Sequence, residues 1–372
     1  MEKQSTAGFW LSPQQKHVWA QQGDAAGNVV AVVGLSGPLD EGVLQQALGT
    51  LIARHEVLRT VFQRQAGMKV PFQVIREHLA PSWQAVDASN LAAEQQQMRV
   101  NECLRAEQSH RFSLETGPVV RATVIKLNQT YSKLILCLPN LLSDFPSLRN
   151  LVHEWGVLYG GEKSELNAEP LRYVQFAQWQ SDLLESDDEA AIKAKEHWAA
   201  LNQATSLAIP LADPAGQGTS SIVVERLEEQ PSTLIEDTAS KLSGSIYGIL
   251  LAAWQALLAR LTGQTSFAVR AFLEGREYDE LQDAPGLMGK FLPVPGRFDG
   301  DFRFSEIVQS VERSLQQSVE CQEHFIAPDT SGSAGFEYHD LGKPERFGNL
   351  QFAVEDVSGD LERCELKLVA VR

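Results

Sequence analysis

The stretch from Tyr131 to Leu148 leaves this chain few ways to fold. Leu134, Ile135, Leu136, Cys137 and Leu138 form an unbroken apolar run, short enough for a strand covered on both faces. Ser143 or Asp144 can cap a following helix, and Pro146 suits its first turn. Leu148, Leu151, Val152, Trp155 and Leu158 then recur at helical spacing until Gly160-Gly161, a pair suited to end a helix. The stretch therefore predicts a buried strand, a tight loop and an amphipathic helix. Such a loop can hold polar groups over a cleft.

The same alternation extends in both directions. Ser12 and Pro13 open a helix, Asn28 to Leu35 reads as a strand, and Asp40 caps a helix with Leu44, Leu48 and Leu51 on one face. Arg54 to Phe62 reads as a helix end entering a strand, and Phe72 to Ile75 as a short strand. Leu91 to Glu107 is predicted as a surface helix capped by Ser89 or Asn90. Val119 to Leu127 pairs with the central strand as a hairpin through Asn128-Gln129-Thr130. Tyr173 to Leu184 and Ala190 to Leu201 are two further helices.

A linker rich in Pro, Gly, Ala and Asp follows from Ile209, which places a boundary between Leu201 and Ser220. Beyond it, Ile222 to Leu227 is predicted as a strand, Thr233 to Leu242 and Ile246 to Leu261 as helices, and Ser266 to Leu273 as a strand. Phe291 to Phe298 is extended, Phe304 to Glu323 is a long amphipathic helix, and short strands close the chain from Gly335. The expected fold class is α/β, with one unit over residues 7–205 and a second over 206–372. Met1 to Thr6 reads as an unstructured lead.

Composition narrows the function classes. With 372 residues, 43% of them hydrophobic, the chain can fill two cores. A net charge of −16 argues against a nucleic-acid or anionic-membrane surface. No apolar run is long enough to span a bilayer, and the N-terminus has no basic-then-apolar signal. Cys103, Cys137, Cys321 and Cys364 are scattered, as expected for reduced thiols of a cytoplasmic protein. His153-Glu154 lacks the second histidine of a zinc-binding helix, and His324 and His339 have no ligand spacing, so surface or interface roles are expected. There is no Gly-x-Ser-x-Gly elbow and no phosphate-binding glycine loop. No metal or directly bound cofactor is expected. Trp10, Trp19, Trp155, Trp179, Trp198 and Trp254 suit packing sites. The acidic run Glu185 to Glu189 suits a solvated helix junction, or a contact with a basic partner.

Several segments together resemble the condensation domains of nonribosomal peptide synthetases. Leu11-Ser12-Pro13-Gln14-Gln15 through Trp19 is similar to their opening motif, and Arg54-His55-Glu56-x-Leu58-Arg59-Thr60-x-Phe62 to their second. Phe112-Ser113-Leu114 with Gly117-Pro118, Tyr173 with Phe176 and Trp179, and Gly286 to Phe291 add weaker matches. The central loop aligns with the family's His-His-x-x-x-Asp-Gly, and here it reads Pro139-Asn140-Leu141-Leu142-Ser143-Asp144-Phe145. Of the four defining positions only the aspartate remains. The resemblance implies two lobes like chloramphenicol acetyltransferase in a V, with a tunnel that takes the phosphopantetheine arms of carrier proteins. It also implies a C-terminal lobe shorter than usual, because the family continues with a further strand and helix.

In the family the second histidine assists attack of an amine on a thioester, a task suited to imidazole's near-neutral pKa. Asn140 can donate and accept hydrogen bonds but cannot act as a base near pH 7. Pro139 has neither imidazole nor N–H, and Phe145 puts a bulky ring where glycine allows close approach. Asp144 has a structural role in the family, paired with an arginine; Arg276 is the expected partner here and Arg149 the local alternative. His55 and Arg59, from the second motif, are likewise expected to be structural. The segment Phe291 to Pro295, where the family usually carries an asparagine, is a second tunnel departure.

The expected function is therefore a catalytically inactive relative that recruits a trans-acting oxygenase. Parallels are the interface domains of siderophore synthetases, tied to amino-acid β-hydroxylases, and X domains tied to haem-thiolate oxygenases. Its partners would be a peptidyl carrier protein, the oxygenase and neighbouring synthetase domains. The alternative is a condensation domain that forms amide bonds with an altered active site.

Overall fold

The computed structural model describes residues 8–23, 26–161, 166, 169–202, 207, 209, 222–227, 229–298, 300, 303–327, 332–359 and 361–372. Met1 to Thr6 and nearly all of the linker lie outside them, as does most of the stretch assigned to the boundary. In chain order the elements are β1 (Gly8–Phe9), α1 (Pro13–Gln22), β2 (Asn28–Ser36), α2 (Glu41–Arg54), β3 (Thr60–Gln63), β4 (Phe72–Ile75) and β5 (Ser82–Asp87). Then come α3 (Ala93–Gln108), β6 (Arg121–Lys126), β7 (Tyr131–Pro139), α4 (Phe145–Gly160), α5 (Tyr173–Glu185) and α6 (Glu189–Asn202). The second half has α7 (Glu229–Leu242), α8 (Ile246–Thr262), β8 (Ser266–Leu273), α9 (Asp279–Gln282), β9 (Lys290–Arg297) and α10 (Phe304–Cys321). It ends with β10 (Gly332–His339), β11 (Glu345–Phe347), β12 (Leu350–Gly359) and β13 (Cys364–Val371).

Two mixed sheets organise these elements. The larger runs β11-β12-β2-β7-β6-β5, antiparallel except for β5 alongside β6. β2 and β7 lie at its middle because their valine- and leucine-rich runs need cover on both faces, and nearly every residue in both is buried or half-buried. The second sheet runs β13-β10-β8-β9, with β10 parallel to both neighbours and β8–β9 antiparallel. A small β1-β4-β3 sheet flanks the first.

The two halves are interlocked. β11 and β12 come from beyond residue 340 yet extend the first sheet, with Val357 opposite Ala31 and Phe352 opposite Leu35. Leu287, Met288 and Phe291 likewise belong to the hydrophobic core built on the first sheet. The second core gathers Ile249, Trp254, Val269, Val308 and Phe336 around β8 and β10. Residues 345–359 thus pair with the half that precedes the linker.

Three sequence expectations need correction. Ile222 to Leu227 forms no strand; Ile222 and Val223 are 87% and 91% exposed, and among the described residues no strand pairs with them. The cap of α3 is Ala92 rather than Ser89 or Asn90, since Asp87 Oδ1 accepts from the Ser89 amide and hydroxyl and holds that turn outside the helix. Trp10 is half-exposed against Phe72, as befits its place beside the two-residue β1. Trp19, Trp155, Trp198 and Trp254 are buried. The acidic run is a solvated junction: Ser186 ends α5, and Asp188 Oδ1 accepts from the Ala191 amide at the start of α6. Among the described residues no single helix is long and apolar enough to cross a membrane.

Candidate functional site

The loop between β7 and α4 carries the altered motif, and its two ends are held differently. At the first end, Pro139 closes β7 opposite Asn28. Asn140 follows with no exposed surface. Its backbone N–H donates to the Gly27 carbonyl at 2.9 Å, and its Nδ2 donates to Gln22 Oε1, also at 2.9 Å. Gln15 Nε2 of α1 donates to the Leu141 carbonyl at 2.8 Å, and Leu141 and Leu142 are buried. The opening helix therefore clamps this half of the loop from one side.

At the second end Asp144 caps α4, accepting from the Ser147 N–H at 3.0 Å and the Ser147 hydroxyl at 2.6 Å. Arg276 reaches it from the second half of the chain, Nη2 to Oδ1 and Nη1 to Oδ2, both at 2.9 Å. The amides of Met288 and Gly289 donate to Oδ2 at 2.9 and 2.8 Å. Arg276 also bonds the carbonyls of Glu274, Ala284 and Gly286. Such a bidentate pair, buried with both carboxylate oxygens and both Nη atoms bonded and only Arg276 Nε without a partner among the described residues, is the geometry that offsets the desolvation of two charges. Burial alone would raise the Asp144 carboxyl, but the guanidinium and its hydrogen bonds outweigh that and hold it below the usual carboxylate range. Arg149 is elsewhere, 3.7 Å from Glu274, and is not the partner.

The close approach depends on glycine. A Cβ on Gly289 would run into the Phe272 ring, and one on Gly286, whose φ is 149°, into the Tyr173 ring. Tyr173 extends the lock: its hydroxyl donates to the Leu287 carbonyl at 2.7 Å and lies 2.8 Å from Ser12 Oγ. Ser147 and the two amides escaped the sequence reading, and Tyr173 entered it as part of a motif without this role. The serine three residues after Asp144 was the signal that could have found the first of them.

Phe145, 5% exposed, points its ring at the second half. It packs on His339 with centroids 4.1 Å apart and meets Phe272 edge-on at 6.1 Å. His339 is buried rather than on the surface, because it lies under Phe145 and bonds Glu337 at 2.9 Å. Lys367 completes that group, 2.6 Å from Glu337. Burial would raise the Glu337 carboxyl, yet His339 and Lys367 hold it below its ordinary value.

His55 and Arg59 stand apart from this cluster. His55 is buried with Nε2 at 2.6 Å from Glu154 of α4, which also takes Arg54. Arg59 Nη1 donates to the Arg76 carbonyl at 2.7 Å. His153 is half-exposed beside Glu345, 2.9 Å away. All four cysteines are free thiols, and no grouping of His, Cys, Asp or Glu that could hold a metal occurs among the described residues. His17 Nε2 lies 2.7 Å from Glu362, which also takes Arg270 of β8. The loop is thus a buried, hydrogen-bonded junction with a carboxamide at Asn140 and a paired carboxylate at Asp144.

Comparison with known proteins agrees with this architecture. The family model for the condensation domain matches residues 8–324. Bacitracin synthase 2 of Bacillus licheniformis is 27% identical over 84% of this chain, and gramicidin S synthase 2 of Brevibacillus brevis is also 27% identical over 84%. The chain spans only 12% of the length of the first and 7% of the second. Among solved structures, the first condensation domain of the calcium-dependent antibiotic synthetase with a substrate analogue superposes at TM-score 0.81. It is 15% identical, and the match covers 99% of this chain and 89% of that one. The condensation domain of Monacolin K polyketide synthase MokA also reaches 0.81, at 18% identity, over 98% of this chain and 88% of that one. On the strength of that family match, with a fold shared by both neighbours, this chain belongs to the condensation-domain family.

Proposed function

We propose that this chain is a condensation-family domain that forms no amide bond. In this reading it holds a trans-acting oxygenase, of the amino-acid β-hydroxylase kind, beside an amino acid on a carrier protein's phosphopantetheine arm. The observation that carries this reading is the contrast within one loop. Asn140 is buried with its Nδ2 bonded to Gln22, and a carboxamide accepts no proton near neutral pH. Asp144, by contrast, binds Arg276, Met288 and Gly289 across the two halves.

Phe145 supports the same reading from the side of access. Its ring lies against His339 and Phe272, between the β7–α4 loop and the second sheet, where a substrate arm would need room. A scaffold held this firmly is suited to present a binding surface even when its reaction is gone. The likeness to peptide synthases supports a reading in which the partners are carrier proteins and neighbouring synthetase domains.

The test is calorimetry of this domain with oxygenases encoded beside it, with the amino acid loaded on its carrier protein. The expected result is a specific complex that persists in Asn140→Ala. The reading fails if no oxygenase binds.

A further inference from the structure

Away from the Asp144 lock, a second polar cluster joins the halves, and its hydrogen bonds do not close. Lys290, at the start of β9, donates from Nζ to the Gln322 carbonyl at 2.9 Å and to Glu323 Oε2 at 2.7 Å. Gln180 Nε2 of α5 donates to the same carboxylate oxygen at 3.0 Å. All four residues are more than nine-tenths buried. Yet Glu323 Oε1, Gln180 Oε1 and both amide atoms of Gln322 find no partner among the described residues, and neither does Nε2 of the adjacent His324. Buried polar atoms in native proteins are almost always satisfied by protein, water or ligand. The Glu323 and Gln180 orphans belong to a bonded pair, and those of Gln322 and His324 to the residues on either side of Glu323, which marks a place built for something small and polar.

We propose that this cluster is an internal binding site for a small neutral ligand, namely about two ordered waters bridging α5 and the 322–324 turn to β9. The charges select neutrality: the Lys290 ammonium and Glu323 carboxylate cancel, so an added ion would be buried without a counter-charge. The open valences also mix types. Gln180, Gln322 and Glu323 offer acceptor oxygens while Gln322 Nε2 offers hydrogens, a combination that water meets with two donors and two lone pairs. Lys290 follows directly on Met288 and Gly289, whose amides bind Asp144. One short segment therefore makes a direct lock to α4 and a water-bridged one to α5. The inference is independent of the domain's proposed role.

Water-17O magnetic relaxation dispersion on the whole chain tests it, comparing wild type with Gln180→Met/Gln322→Met, whose thioethers keep side-chain length but remove the open valences. The expected result is a dispersion amplitude smaller in the variant by the share of about two long-lived waters, at unchanged circular dichroism. A high-resolution crystal structure of the wild type should show water density bonded to Glu323 Oε1 and both glutamines, and this decides the matter if the variant does not fold. Carboxamides rotated onto one another with no density between them would overturn the proposal. So would a melting temperature raised by KCl over choline chloride at equal ionic strength and not in the variant, which would make this a cation site.

Discussion

Asn140 and Asp144 lie four residues apart on one loop, and neither has any exposed surface. Asn140 bonds within its own half, to Gln22 and Gly27. Asp144 gathers Arg276, Met288 and Gly289 from the other half. The first position can change chemistry without loosening the fold, because an amide still satisfies its neighbours. The second cannot, because removing either partner leaves a charge stranded in the core. Chemistry and architecture are thus separable within seven motif positions.

The contrast is broken most directly at Arg276. Arg276→Met should cost about 3–5 kcal/mol by urea denaturation, since Asp144 would be left buried and unpaired. Phe145→Ala should cost about 3 kcal/mol, the range for emptying a buried aromatic site, and a crystal structure should show the gap beside His339. Acid sharpens the comparison by another route. The folded-state pKa of Asp144 lies below its unfolded value, so its contribution is present above the unfolded pKa, about 4, and is lost as pH falls through the folded value. Stability followed from pH 7 downward should fall in the acid range, and the fall should be shallower in Asp144→Asn/Arg276→Met. Asn140→Leu should cost only about 1 kcal/mol, because Gln22 Oε1 retains the Gly27 amide at 2.7 Å. Smallest of all, Ile222→Ser should stay within about 0.5 kcal/mol, since that side chain is solvated.

What could be read from the sequence follows the range of the forces involved. β7, the Asp144 cap, Pro146 and the Gly161 stop of α4 were legible because each is decided within a few residues. β5 was missed: Ser82 to Asp87 is a half-exposed edge strand whose residues alternate weakly. Ile222 to Leu227 misled for the opposite reason, having β-branched residues but no strand paired with it among the described residues. The return of β11 and β12 to the first sheet depends on pairing across some 320 residues, from Val357 to Ala31, and leaves no local mark. At the site, Arg276 could be paired with Asp144 by motif likeness. Tyr173 on Leu287, and His339 under Phe145, follow only from the packing of distant segments.

The most direct test of the central claim is an amide-formation assay, with donor and acceptor amino acids loaded on their carrier proteins and product followed by mass spectrometry. The expected result is no amide above the enzyme-free background. Amide formed by the wild type and abolished in Asn140→Ala would contradict the claim, and would make Asn140 the substrate-orienting group of an unorthodox condensation catalyst.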